Sequence, residues 1–449
     1  MAEQRLRILS ANTLDQEGGA EQVVWSLHQG YRARGHESWL AVGAKRRADD
    51  NVLVMDNAKT RNPWSRFWWR VQRRTSGSGE KFKRWREKLR RGLALVAEPQ
   101  SIVETLQGYE HSHFPGTYAL LDLPPQRPDI LHCHSLQRGY FELEALPVLS
   151  QQVPTVLTLH DAWLLSGHCT QPFDCERWRT GCGQCPDLSI SPAILRDGSA
   201  RNWQRKRDIF KQSRLWVVAD SKWLMEKVSA SMLTYVDARV IYPGIDLEIF
   251  CPAERQQARS ELGLPQDAKI LLFVAAKARH NPWKNFRLLK QAVERVKQRV
   301  AGEIVLLIGG DPISDELVIK DGVWFAPPIA TSQQLAQYYR AADLYVHATH
   351  VETFGLTIAE AMASGLPVVA TRTAAIPELV TNGESGYLTT PGDVEEMAAR
   401  IVELLQNTEQ RQAMGLRAAC ASKKFDVNKT IDAYLDLYHE ILGQETMKQ

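Results

Sequence analysis

No apolar run in this 449-residue chain approaches the ~18 residues that a membrane span needs. The first residues include Leu6, Ile8 and Leu9 but no extended apolar stretch, so no secretory signal is read there. These two absences predict a cytoplasmic protein. Charge of one sign is also scarce. Lys and Arg number 55 against 52 Asp and Glu, which leaves a net charge of +3. General nucleic-acid binding by bulk charge is excluded, and any basic function must be local. Seven cysteines in so long a chain cannot serve as a disulfide scaffold. Neither an internal repeat nor a low-complexity tract is present. What remains is ordinary globular material, 44% hydrophobic and 24% charged, enough for two or three domains.

Short apolar runs alternate with helical patterns. In the first half, strands are expected at 6–11, 38–42, 130–132, 155–159, 215–219 and 239–242. In the second they are expected at 270–275, 304–308, 323–325, 344–347 and 367–370. Strands separated by helices predict an α/β protein with two parallel sheets. The expected division is an N-terminal domain at 1–240, a C-terminal domain at 241–424 and a final helix at 425–449. Ligands of such sheets sit at the carboxyl ends of the strands.

One segment carries the most chemistry. Glu352-Thr353-Phe354-Gly355-Leu356 reads as a loop entering a helix that contains Glu360. A helix N-terminus offers unpaired N–H groups and partial positive charge, which suits a phosphate. Carboxylates accept hydroxyl hydrogen bonds and repel phosphate. Acids on either side of that pole therefore suggest a ligand with both groups, such as a sugar nucleotide. The plainer alternative is a core helix with two solvated acids.

From Ile241 to Gly392 the order of motifs resembles the donor half of family-4 glycosyltransferases. The pieces are Tyr242-Pro243-Gly244-Ile245-Asp246, Ala341-Ala342-Asp343-Leu344-Tyr345-Val346, Glu352-x7-Glu360, Gly365-Leu366-Pro367-Val368-Val369-Ala370 and Gly386-Tyr387-Leu388. In the first half, Gly18-Gly19 resembles the family's glycine loop. His160-Asp161-x-Trp163 is similar to bacterial exopolysaccharide enzymes of the colanic-acid type. The resemblance implies the GT-B fold, two Rossmann-like domains facing each other across a cleft, with a C-terminal helix that crosses back to the first.

It also implies roles. Lys284 would meet the donor diphosphate, with Arg279 or Lys277 as the second charge. This chain has Ala276-Lys277 where Gly-Arg is usual, and Asn285 replaces a glycine. Glu360 would grip the ribose and Glu352 the transferred sugar. The amides of Phe354, Gly355 and Leu356 would cap the diphosphate, while the Phe354 ring itself reads as core packing. His160 would stand near the reacting centre, and Asp161 would orient it or bind acceptor. His132 and His134 read as structural. The implied reaction is retaining hexosyl transfer from a nucleotide-diphosphate sugar, with no cofactor needed for catalysis. The acceptor would be a glycan, lipid-linked through polyprenyl diphosphate. An epimerase, a phosphorylase or a binding protein without catalysis are the alternatives.

Two further features stand apart. Cys169, Cys175, Cys182 and Cys185, in a loop at 167–186, have spacing that suits structural Zn²⁺; disulfides and free thiols are the alternatives. An insert at 60–123 interleaves Trp64, Phe67, Trp68, Trp69, Phe82 and Trp85 with many Arg and Lys residues. That pattern suits an anionic membrane surface on the acceptor side, or an ordinary solvated helix pair.

Overall fold

The structure is a computed structural model that describes residues 5–16, 18–57, 61, 63–74, 89, 92–93, 96–97, 99–110, 113–137 and 139–448. Part of the basic aromatic insert, including Lys81, Phe82, Lys83, Arg84, Trp85, Arg86, Lys88, Arg90 and Arg91, lies outside the described residues. The chain divides into two compact units. The first comprises Met1–Ala219, Leu224–Val240 and Asp436–Gln449; the second comprises Asp220–Trp223 and Ile241–Leu435.

The first unit is built on a seven-stranded sheet: β1 (Arg7–Leu14), β2 (Glu37–Ala44), β3 (Val52–Val54), β4 (Ile130–Cys133), β5 (Thr155–Leu159), β6 (Leu215–Ala219) and β7 (Asp237–Val240). The spatial order is β3-β2-β1-β4-β5-β6-β7, and every pair is parallel. β4, β5 and β6 are buried at every position. Strands covered on both faces have no solvent side, hence their unbroken apolar runs.

The second unit repeats the plan with β8 (Lys269–Val274), β9 (Ile304–Gly309), β10 (Val318–Lys320), β11 (Val323–Phe325), β12 (Leu344–His347), β13 (Val368–Thr371) and β14 (Gly386–Thr389). Their order is β10-β11-β9-β8-β12-β13-β14, antiparallel only between β10 and β11. Side chains alternate across a strand. Ile270, Leu272 and Val274 of β8 therefore pack on one face with the helices Ser332–Ala341 and Leu356–Ala363. Leu271 and Phe273 pack on the other with Phe286–Arg299 and Val394–Gln406. Each of these fully buried side chains contributes roughly 2 kcal/mol of hydrophobic stabilisation.

The strands at 130–132, 155–159, 215–219, 304–308, 323–325 and 344–347 stand where the sequence places them. β7 lies two residues earlier than expected, because its register is set by pairing with β6 rather than by the apolar Ile241-Tyr242 pair beyond it. β3, β10 and β14 were not anticipated.

The last helix spans Val427–Lys448. Its part up to Leu435 groups with the second unit. There Thr430 donates to the Tyr242 carbonyl at 2.9 Å. Gly244 admits this helix: a Cβ there would lie 2.3 Å from Val427 Cα. From Asp436 the helix groups with the first unit, where the Tyr438 hydroxyl lies 2.9 Å from Tyr31 Oη and 2.7 Å from His132 Nδ1. Among the described residues no helix is long and apolar enough to cross a membrane.

Candidate functional site

Chain order and spatial order part company in the second sheet at β8. The chain runs from β8 to β9 on one side and later returns to place β12 on the other. Connections leaving the carboxyl ends of β8 and β12 diverge, which opens a crevice at this switch point. The β8 loop carries Lys277, Arg279 and Lys284, and the β12 loop carries Glu352.

These loops are tied together. Lys284 closes a short turn, Pro282–Lys284, whose first residues are capped by the Asn281 side chain. The Trp283 carbonyl accepts from Thr349 Oγ1 at 2.9 Å and from the His350 N–H at 2.8 Å. Lys284 Nζ then forms an ion pair with Glu352 Oε2. His347, the last residue of β12, places Nε2 3.3 Å from the same oxygen. A carboxylate only accepts, so Nε2 carries the proton and Nδ1 faces the Tyr345 hydroxyl at 3.2 Å. Burial alone would raise the Glu352 carboxyl, but the Lys284 ammonium and His347 outweigh it and hold Glu352 at about 2. Burial pushes His347 below its ordinary value, against the pull of Glu352. The pair is thus Glu352⁻ and Lys284⁺, beside a neutral imidazole.

Three residues after Glu352 the backbone turns at Gly355, with φ at +104°, and the helix Leu356–Ala363 begins. That left-handed conformation favours glycine. A Cβ there would also sit 3.3 Å from both Glu352 Cγ and Ile358 Cδ1. The Phe354 ring is buried against Tyr242 and Phe425, so it packs. One turn into the helix, Glu360 is 8% exposed and accepts from the Tyr339 hydroxyl at 2.8 Å. Burial raises this carboxyl to about 7, only partly opposed by that hydrogen bond. The two glutamates of one motif are therefore held in opposite states, the first firmly ionised and the second near its titration point at neutral pH.

The rival cations differ. Arg279 is committed to Asp311, which accepts its backbone N–H at 2.8 Å, Nε at 2.9 Å and Nη2 at 3.1 Å. Its guanidinium also lies 5.0 Å from the Phe325 ring centre. Lys277 is exposed on a residue with φ of +54° and makes no ion pair among the described residues.

In the first unit the switch point falls between β1 and β4. Gly18 precedes the helix Gly19–Ala33 after β1. After β4, His134 stacks on His160 with ring centres 5.3 Å apart and Nδ1 3.1 Å from His160 Nε2. Asp161 accepts from the Trp163 N–H at 2.9 Å and from Gln137 Nε2 at 2.8 Å. His132 lies 2.7 Å from Thr158 Oγ1 and from the Tyr438 hydroxyl, and burial lowers it to about 3. His134 is lowered well below its ordinary value, also by burial. Both are neutral.

The cysteine loop does not form the expected zinc site. Cys182 Sγ receives the Gly167 N–H at 3.2 Å, while Cys185 Sγ lies 3.2 Å from His168 Nε2. The sulfurs thus bond to separate partners. Among the described residues no group of three or more His, Cys, Asp or Glu side chains is placed to hold a metal ion. All four cysteines are free thiols, and burial raises Cys169 to about 11 and Cys182 to about 12.

Tyr339, His347 and Asp311 were not anticipated as partners of the site. His347 had a usable signal, a histidine closing a strand at its carboxyl end.

Residues 17–249, just over half of the chain, match the family described as Glycosyltransferase Family 4, and residues 268–407 match that described as Glycosyl transferases group 1. The chain belongs to glycosyltransferase family 4. Similar curated proteins include the D-inositol 3-phosphate glycosyltransferases of Saccharomonospora viridis and Mycolicibacterium smegmatis. The first is 34% identical over 46% of this chain and 50% of its own length, the second 36% identical over 45% and 48%. The chain spans about half the length of the curated relatives it matches. Among solved structures, sucrose-phosphate synthase from Thermosynechococcus elongatus superposes with a TM-score of 0.62 at 18% identity, over 98% of this chain and 100% of that one. HepE of Anabaena, solved with UDP and glucose, gives 0.58 at 19% identity, over 97% and 100%. At such identities these two speak for the fold alone, which is GT-B.

Proposed function

We propose that this family-4 glycosyltransferase moves a hexose, with retention of anomeric configuration, from a nucleoside-diphosphate sugar held by the second unit to a hydroxyl of a glycan bound by the first. The observation that carries the reading is the meeting of Lys284 and Glu352 at the switch point, just before the helix Leu356–Ala363. The ammonium and the first-turn amides supply fixed positive charge where the leaving diphosphate gains negative charge. Glu352⁻ receives hydroxyls of the transferred sugar, and Glu360 those of the ribose. Lys277, exposed and without an ion pair among the described residues, is better suited than Arg279 to add a second charge. The bond from the anomeric carbon to phosphate oxygen breaks as the bond to the acceptor oxygen forms on the same face. The acceptor proton passes to the departing phosphate. His160, held by His134, hydrogen-bonds a sugar hydroxyl. HepE was solved with UDP, which makes a UDP-sugar the first donor to try.

Thermal-shift measurements with UDP-, GDP- and ADP-sugars test donor binding. One class should raise Tm, and a metal chelator should leave both that shift and subsequent transfer intact. Stabilisation by none of them, or an inverted anomer in the product, would overturn the reading. A lipid-linked acceptor is favoured by exposed Trp64 and Phe67 on the helix Pro63–Arg74, at 56% and 57%. Co-sedimentation of the full chain with anionic, but not neutral, vesicles checks it.

A further inference from the structure

The first unit contains a pocket of about 330 Å³, lined by residues that include Tyr109, Glu110, Gln137, Phe141, Trp163 and Leu195. This is the lower end of small-molecule sites, room for a ring or two rather than a polymer. Its walls come from the segment after the helix Pro99–Gln107, the loop after β4, the His160-Asp161 loop and the segment that follows the cysteine loop.

The polar groups are specific. Lys206 is fully buried and spends its donors on Glu110 Oε1 at 3.0 Å, the Trp163 carbonyl at 2.9 Å and the Ser166 carbonyl at 3.1 Å. Glu110 Oε1 also accepts from Trp163 Nε1 at 2.6 Å. Glu110 Oε2 is buried and has no hydrogen-bond partner among the described residues, although the side chain is only 9% exposed. A buried carboxylate oxygen left without a donor is costly, and in a pocket wall it marks where a ligand donor belongs. Two further facts weigh against an anion. The Lys206 ammonium is already paired with Glu110, and the Arg205 guanidinium gives both Nε and Nη2 to Glu144. Arg205 is the one cation among the described lining residues, and it is paired. Gln137 on its wall donates to Asp161, so the pocket adjoins the motif that carries His160.

We infer that this pocket holds an uncharged polyol ring of the acceptor, a sugar or cyclitol, with one ring hydroxyl donating to Glu110 Oε2, and that it rejects a ring bearing phosphate. This rests on the glycosyltransferase reading for the ring's role as acceptor. It also separates this chain from relatives whose printed names give a phosphorylated inositol.

Saturation-transfer NMR on the full chain tests it with methyl α-glucoside, methyl α-galactoside, methyl α-mannoside, myo-inositol and D-inositol 3-phosphate as probes. At least one neutral ring should bind and the phosphate should not. Glu110→Gln should weaken that binding about tenfold or more, the scale of one hydrogen bond to a charged group. Ala193→Trp, at an exposed position on the pocket rim, should block binding without touching the core. Thermal stabilisation by UDP reports separately that each variant is folded. Binding by no neutral ring, unchanged binding in both variants, or tighter binding of the phosphate would each overturn the proposal. Ring binding without any response to UDP, GDP or ADP would leave the pocket standing and remove the donor reading instead.

Discussion

Glu360 should make the second unit less stable as pH rises through neutrality. Its carboxyl is 8% exposed and has the Tyr339 hydroxyl as its hydrogen-bond donor, and burial raises it to about 7. In the unfolded chain it titrates near 4.5. Below both values the proton is bound in both states and the group contributes nothing. Between them the unfolded state releases its proton while the folded state keeps it, so stability falls as pH rises. Above 7 both are ionised and the penalty is constant. At about 1.4 kcal/mol per pH unit, the loss between pH 5 and pH 8 is about 2 to 3 kcal/mol. Glu360→Gln keeps an oxygen for Tyr339 and removes the titration. Urea unfolding of both proteins at closely spaced pH values isolates the effect, because all other groups are shared. The variant should gain about 2 to 3 kcal/mol on wild type across that window. Parallel stability–pH curves would refute the reasoning. A nucleotide whose ribose donates to Glu360 favours the ionised form, so its affinity should rise through the same window in wild type only.

Lys284→Met should lower transfer on the order of 10²- to 10³-fold, the scale of removing one preorganised donor, read as kcat. It should also cost about 2 to 3 kcal/mol at pH 7, below the ~3–5 of a fully buried pair because each partner is about one-fifth exposed. Glu352 at about 2 contributes stability above 4.5 that is lost as pH falls towards 2, so this cost should shrink by pH 3 in acid-unfolding curves. Gly355→Ala should lower Tm through about 1–2 kcal/mol of left-handed strain, and its crowding of Glu352 should reduce donor affinity in calorimetry. Tyr438→Phe removes the hydroxyl between Tyr31 and His132 and should cost about 1–3 kcal/mol in thermal unfolding.

How legible was this molecule in its sequence? The central strands were, because a parallel strand buried on both faces has to be an unbroken apolar run. β4, β5, β6 and β12 are of that kind. β3, β10 and β14 are edge strands of three or four residues, too short for alternation to register. The Lys284–Glu352 pair spans 68 positions, and no local spacing encodes it. Each residue is named through a resemblance, as a contact of a different part of the donor, and their pairing with one another is not. Arg279 shows what such a resemblance leaves open. Its positive charge is legible, but the Asp311 that takes it up comes from the loop after β9 and becomes its neighbour only when β8 and β9 pair. The zinc expectation failed for a related reason. Cysteine spacing limits which sulfurs can meet, whereas Gly167 and His168 decide what two of them bond instead.

The two sheets share one strand plan yet are charged differently at their switch points, and that difference bears on what each unit binds. At the β8–β12 switch, burial is overcome by a cation, and a carboxylate and an ammonium persist side by side. At the β1–β4 switch, burial prevails, and His132 and His134 stay neutral among hydroxyls and one another. A charged pair can re-form around a phosphate, exchanging one anion for another at modest cost. Neutral imidazoles in a dry environment can offer only hydrogen bonds, the currency of sugar hydroxyls. The pocket proposed above beside Asp161, with Arg205 and Lys206 already paired and one carboxylate oxygen without a donor among the described residues, would extend the same preference. On the function proposed above, the second unit's ammonium serves a phosphate and the first unit's neutral imidazoles serve hydroxyls, a difference set by where a cation overcomes burial and where none does.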